Sequence, residues 1–313
     1  LDTATTLRAA RLADELGYHS LWVADHLMLG QENAILEGWT TLAVLAGATE
    51  RAKLGMIHQG HFFRHPALHA KMTATLDQLS GGRFIYFIDA GYGKAEHRAY
   101  GLPYPETMEE RFAQVLEGLQ VTRALWAADR PVSLKTPSYE LSEATCTPLP
   151  VQKPHPPIWF GEAHPVILAA TAQHAQGWNT VPVGFTKVAQ RLEQLRAACA
   201  AVGRDAREIE KSLEIQILIA PERATLRQRL AGMIALAPGR EPLAGDLQAF
   251  LDGQTDELPA DLRETWLIGT PDEVASQMQT YIDLGLTHFL LWFADAPDEA
   301  GLRLFAEQVM PRF

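Results

Sequence analysis

Two hydrophobic periods take turns along this chain. From Thr6 to Leu16 the apolar residues fall at helical spacing and stop at Gly17, a natural helix C-cap. The run Ser20-Leu21-Trp22-Val23-Ala24 that follows is short and apolar, as a strand covered on both faces is. The same reading predicts a helix over 39–48, a strand over 53–59, and a helix over 65–79. A turn at Ser80-Gly81-Gly82 leads to a strand over 83–90, and a long helix over 107–126 precedes a polar, proline-spaced stretch at 130–156. Next come a strand at 158–161, a helix at 166–176, a strand at 177–181 and a helix at 186–202. A strand at 213–220 then opens a polar, helical excursion through 263. Thr270-Pro271-Asp272-Glu273 reads as a capping box with proline at the first helical position. That helix ends at Gly285, a buried strand covers 287–293, and a last helix covers 297–309.

Seven strands, each followed by a helix across short loops, imply a parallel sheet with right-handed crossovers. Closed barrels of this kind have eight strands. The expectation is therefore an α/β fold, a (β/α)8 TIM-like barrel with insertions, forming one domain over 1–313, with its first strand missing before Leu1. An open doubly wound sheet is the alternative.

Composition narrows the function classes. The 313 residues are 47% apolar and 21% charged, ordinary for a globular core, and 27 Lys+Arg against 38 Asp+Glu give a net charge of −11. That balance argues against nucleic acid or an anionic membrane as partner and leaves room for a local site for a small anion. Cys146 and Cys199 form neither a CxxC nor a disulfide framework, and no apolar run is long enough to span a bilayer. The expectation is a cytoplasmic protein acting on a small-molecule substrate.

In such a barrel chemistry sits at the C-terminal ends of the strands, which selects a few short stretches. Asp25-His26 offers an imidazole able to move a proton near neutral pH with a carboxylate to orient it; the alternative is a capping Asp and a loop His. His58, His61, His65 and His69 cluster, yet no HExxH and no nearby carboxylate supports a metal, so none is expected. His61 is expected to face the barrel mouth and the other three to be structural. Gly60 is either a close backbone approach to a ligand or an ordinary loop glycine. Gly91-Tyr92-Gly93 lacks the third glycine of a dinucleotide fingerprint, whose slot falls on Glu96; Tyr92 offers a phenol. Gly161-Glu162-Ala163-His164 precedes a helix whose N–H groups suit a phosphate, with His164 helpful and Glu162 unwelcome; the alternative is a capped polar loop. Trp22, Trp159, Trp178 and Trp292 lie in or beside strands and read mainly as core.

The stretches 16–26 (LGYHSLWVADH), 37–43 (EGWTTLA), 63–68 (FRHPAL), 79–83 (LSGGR), 96–101 (EHRAYG), 153–159 (KPHPPIW), 177–179 (GWN) and 269–274 (GTPDEV) run in one order over essentially the whole chain. Together they resemble the luciferase-like flavin-dependent oxidoreductases, most nearly the branch that uses the deazaflavin coenzyme F420. The resemblance implies a TIM-like barrel binding a reduced flavin or deazaflavin at the strand ends, and a homodimer. It places ring or substrate contacts at His26, a non-prolyl cis peptide supporting the ring at Gly60-His61, and a cofactor phosphate at Gly161, Glu162, Ala163 and His164, with Asn179 and Thr180 nearby. Asp25 and Gly91 join the cofactor-binding set, and His26, His61 and Tyr92 are the candidate proton donors. The activity implied is hydride transfer between F420 and a small organic substrate. An FMN-dependent monooxygenase using oxygen is the runner-up, and a barrel that binds flavin without catalysis is the third reading.

Overall fold

The computed structural model describes residues 2–91, 93–235 and 245–313. Twelve α-helices and ten strands occur among them. In chain order they are α1 (Thr3–Glu15), β1 (Ser20–Ala24), α2 (Gly38–Ala48), β2 (Lys53–Ile57), α3 (Pro66–Leu79), β3 (Phe84–Ile88), α4 (Lys94–Ala99) and α5 (Met108–Ala127). The hairpin strands β4 (Val132–Lys135) and β5 (Glu140–Ala144) come next, then β6 (Ile158–Gly161), α6 (Pro165–His174), β7 (Gly177–Thr180) and α7 (Phe185–Ala201). The remainder is β8 (Glu210–Ile219), α8 (Arg223–Ala235), α9 (Gly245–Leu251), α10 (Ala260–Thr265), β9 (Trp266–Gly269), α11 (Pro271–Asp283), β10 (His288–Phe293) and α12 (Ala300–Gln308).

The chain divides into two compact units, a larger one over 10–178 and 198–209 and a smaller one over 1–9, 179–197 and 210–313. In the larger unit β1, β2, β3 and β6 pair in that order, all parallel. Strand β3 is buried along its whole length, as its unbroken run Phe-Ile-Tyr-Phe-Ile demands. Large rings fill the space beside it: Trp22 sits 5.3 Å from Trp159 and 6.1 Å from Phe87. Gly55 of β2 makes room for Trp22, since a Cβ there would fall 2.2 Å from its ring. At the opposite ends of the strands from the predicted site, charged groups are bound to main chain. Asp14 accepts from the N–H groups of Glu50, Arg51 and Ala52 at 2.9, 3.0 and 2.6 Å. Arg83, just past the left-handed turn at Gly81-Gly82, donates to the carbonyls of Ser80, Ala52, Ala46 and Thr49.

In the smaller unit β8 pairs in parallel with β10 through 212–217 and with β9 through 216–219. Gln216 and Ile217 therefore bond on both edges. Leu218, Leu226, Leu230, Phe250, Leu258 and Ile268 close a core around the far end of β8. The capping box of α11 is present, with Glu273 Oε2 accepting from Thr270 N at 2.8 Å behind Pro271.

Three expectations change. An additional parallel strand, β9, lies between the expected end of the helical excursion at 263 and the capping box at 270, where no element was expected; four residues are too few to show a period. The stretch 130–156 contains the antiparallel β4–β5 hairpin, none of whose positions is fully buried. Strand β8 begins three residues earlier than expected, because Glu210 and Lys211 extend an otherwise apolar ladder.

Candidate active site

The site of the larger unit grows from the C-terminal ends of β1, β2 and β3. His26 follows β1, and its Nδ1 lies 2.7 Å from Glu96 Oε1. The other oxygen of Glu96 accepts from the N–H groups of Leu27 and Met28 at 2.6 and 3.0 Å. Burial pushes the Glu96 carboxyl up, but the bonds from His26 and these two N–H groups outweigh it and hold the pKa below its usual value. An ionised carboxylate only accepts, so Nδ1 of His26 carries the hydrogen and Nε2 is the acceptor atom of the ring. A quarter of the side chain remains exposed.

A similar pair stands at the next strand. His58, directly after β2, has Nδ1 3.2 Å from Asp89 Oδ2, while Asp89 Oδ1 accepts from Gly91 N at 2.8 Å. His58 is about as exposed as His26, whereas Asp89 is buried. Adjacent strand ends thus carry two imidazoles, each oriented through Nδ1 by a buried carboxylate from a different part of the chain.

The expected histidine is a different one. His61 is 4% exposed; its Nε2 meets the Tyr139 hydroxyl at 2.8 Å, and its Cε1 lies 2.1 Å from where a Cβ on Gly118 would be. Burial lowers its pKa to about 4, with His65 adding to the effect. It is neutral and enclosed at pH 7, so the expectation of His61 as a mouth-facing proton donor is corrected and His58 takes the exposed position. The short 3-10 turn His61–Phe63 swings the chain inward after Gly60. The non-prolyl cis peptide is likewise at Ile57-His58, three residues before the expected Gly60-His61, because β2 ends at Ile57 and not at Gln59.

Asp25 is also buried, and it is bound by Arg64 Nη1 at 2.9 Å and Gly60 N at 3.0 Å; Arg64 continues to Glu37 at 2.7 Å. It braces the loop from within the fold, with its carboxylate turned to Arg64 and Gly60. Gly60 is a glycine because Phe63 is 2.7 Å from its would-be Cβ, and Gly161 because Asp89 and Phe87 are each 2.9 Å from its own. Both are demands of packing. Gly91 holds a positive φ of 75° with its would-be Cβ 3.5 Å from Gly60 Cα, and Tyr92 lies outside the described residues.

The loop before α6 departs from a phosphate cradle. Glu162 adopts a φ of 89°, its carbonyl accepts from Trp178 Nε1 at 2.8 Å, and its carboxylate lies 3.3 Å from Ala163 N. His164 caps the helix through Val166 N at 3.4 Å and its ring lies 4.6 Å from Phe112. In the smaller unit Asn179 and Thr180 are both buried. Asn179 Oδ1 accepts from Ser212 at 2.6 Å and Thr180 Oγ1 from Arg191 at 2.9 Å, so these side chains brace their own core.

A family model described as luciferase-like monooxygenase matches residues 2–288. The chain belongs to that family. Among its relatives, an F420-dependent glucose-6-phosphate dehydrogenase of Amycolatopsis mediterranei (strain U-32) is 26% identical over 309 residues, covering 96% of this chain and 91% of that protein. Among solved structures, an F420-dependent secondary alcohol dehydrogenase in complex with an F420–acetone adduct superposes with a TM-score of 0.79 at 21% identity, over 98% of this chain and 94% of that one. A monooxygenase from Streptomyces bottropensis superposes with a TM-score of 0.79 at 27% identity, over 99% and 93%. The fold is thus the TIM-like α/β fold of luciferase-like proteins.

For a deazaflavin or flavin the residues fit at one end only. His26 and His58 present partly exposed imidazoles suited to a polar ring edge. The Gly161–His164 loop, with the Glu162 carboxylate on the N–H of Ala163, does not suit a phosphate.

Sequence reasoning missed Glu96 and Asp89 as partners because each lies far in sequence from the histidine it orients. The signal available was their type: an acid beside Gly93 and an acid closing an apolar strand.

Proposed function

We propose that this luciferase-like chain is an F420-dependent oxidoreductase acting between the hydroxyl and carbonyl forms of a small organic substrate. The observation carrying this reading is the His26–Glu96 pair at the end of β1, within a chain similar along nearly its whole length to F420-dependent dehydrogenases. The coenzyme, when bound, supplies a two-electron hydride carrier. The chain's own part is acid–base work. Glu96 keeps the hydrogen of His26 on Nδ1, so Nε2 takes the proton of a substrate hydroxyl as the carbonyl forms, and returns it in the reverse direction. Asp25, Arg64 and Glu37 hold the β1 and β2 loops that present this edge. His58 lines the same strand ends and offers the ring or substrate a second imidazole.

A second reading is an FMN-dependent monooxygenase, favoured by the 27% identical monooxygenase structure. Titration with F420 and with FMN, followed by anaerobic turnover with a panel of secondary alcohols and sugar phosphates, separates the two. F420 binding with oxygen-independent alcohol oxidation is the expected result; turnover needing FMN and oxygen overturns it. On the same reading His26→Ala lowers kcat by about 10²–10⁴-fold with the coenzyme still bound.

The match of the family model across both compact units supports one functional domain over 1–313. No helix among the described residues is long and apolar enough to cross a membrane. A cytoplasmic homodimer is the form we propose, which size-exclusion chromatography with light scattering tests.

A further inference from the structure

The start of α6 is the place where a helix offers unpaired N–H groups to an anion. Here two of the four are gone. Pro165 has no N–H, and Val166 N is taken by His164 Nδ1. Ala163 N, in the turn just before, faces the Glu162 carboxylate. Of the four groups a helix start leaves open, only those of His164 and Ile167 remain.

Glu162 is also held in place. Its carbonyl is tied to Trp178 Nε1, and its φ of 89° belongs to the left-handed region that glycine occupies without penalty. A residue with a side chain occupies that conformation, and the side chain is an acid at the position least favourable to a second negative charge.

We propose that Glu162, whose carboxylate sits on Ala163 N just before the N-cap of α6, is a specificity-determining residue that opposes phosphate-bearing ligands at that helix start. The proposal deepens the F420 reading and rests on it for the identity of the ligand, but the helix-start chemistry is testable without any cofactor. The coenzyme is then held through its ring and the strand-end histidines, with little contribution from this loop.

The test compares the full-length protein with Glu162→Gly and Glu162→Gln. Glycine relieves the positive φ, so the first variant folds at least as well as the parent; glutamine keeps the side chain and removes its charge. Inorganic phosphate is the first probe, read by thermal unfolding. The expected result is a Tm rise of about 2–4 °C for Glu162→Gly at saturating phosphate, and none for the parent. Coenzyme F420 and its phosphate-free deazaflavin chromophore are the second and third probes, read by fluorescence titration. Glu162→Gly and Glu162→Gln are expected to bind F420 about tenfold more tightly, with the affinity for the chromophore unchanged. Equal stabilisation of parent and variants by phosphate overturns the proposal, as does F420 affinity that stays the same or falls in both variants. If phosphate stabilises only the variants while no deazaflavin binds any form, the assignment of Glu162 stands and the F420 reading fails.

Discussion

A histidine's surroundings decide which of its two nitrogens does chemistry, and this chain holds the alternatives side by side. His26 is anchored through Nδ1 and open at Nε2, whereas His61 is neutral and enclosed against Tyr139. The contrast has a pH signature. The unfolded chain protonates His61 near 6.5, and the folded chain only at about 4. Its contribution to stability is therefore complete above pH 6.5, declines as pH falls, and is gone below about 4. The change from this one residue is roughly 3 kcal/mol. His69 and His97, both buried with lowered pKa values, act in the same direction. Urea unfolding at pH 7.5 and pH 5 measures the slope, and His61→Gln is expected to flatten it. Glu96 responds at lower pH: its depressed pKa adds stability above the ordinary carboxylate range, lost as pH falls through the folded value. Glu96→Gln leaves His26 in place but frees its tautomer. The expected outcome is a fall in kcat of about tenfold or more and a shifted pH–rate profile, with KM little changed.

The elements were legible where periodicity and caps agree. The α11 capping box, the Gly81-Gly82 turn and the apolar strands β1, β3 and β6 could all be read from the residues themselves. Strand β9 and the β4–β5 hairpin could not, because their identity comes from the strand each pairs with. Among site residues, His26 was legible as a strand-end imidazole. Glu96 and Asp89 were not, since the fold alone brings them to their histidines across 70 and 31 positions. Packing between elements was hidden for the same reason, and Gly55 shows it. Nothing in the sequence around Gly55 asks for glycine, yet Trp22 of the neighbouring strand lies where its Cβ would be. Gly55→Ala is expected to cost about 1–3 kcal/mol through displacement of that ring. Chemical denaturation reads the loss, and Trp22→Leu in the same chain is expected to recover part of it.

The whole molecule carries a net charge of −11, and its proposed coenzyme is itself an anion. Long-range repulsion therefore slows encounter, and added salt screens it. The association rate of F420 is expected to rise severalfold between about 20 and 200 mM NaCl, as followed by stopped-flow fluorescence. A rate that falls with salt instead would mean that a local positive field dominates the approach.

Arg83 and Asp14, at the far ends of these strands, give the larger unit a polarity of another kind. Their full charges are spent on neutral main-chain atoms, and although burial pushes the Asp14 carboxyl up, its bonds from Glu50, Ala52 and Arg51 outweigh it and hold the pKa below the usual value. His26, His58 and His61 of the same unit stand at the other ends of the strands, where β1 and β2 finish. Acidification into the range where His61 takes up a proton therefore loads the ends of β1 and β2, while Asp14, held below the usual carboxylate range, keeps its main-chain bonds. Activity lost in mild acid is then expected to return on neutralisation without passage through the unfolded chain, which far-UV circular dichroism at the acid step checks.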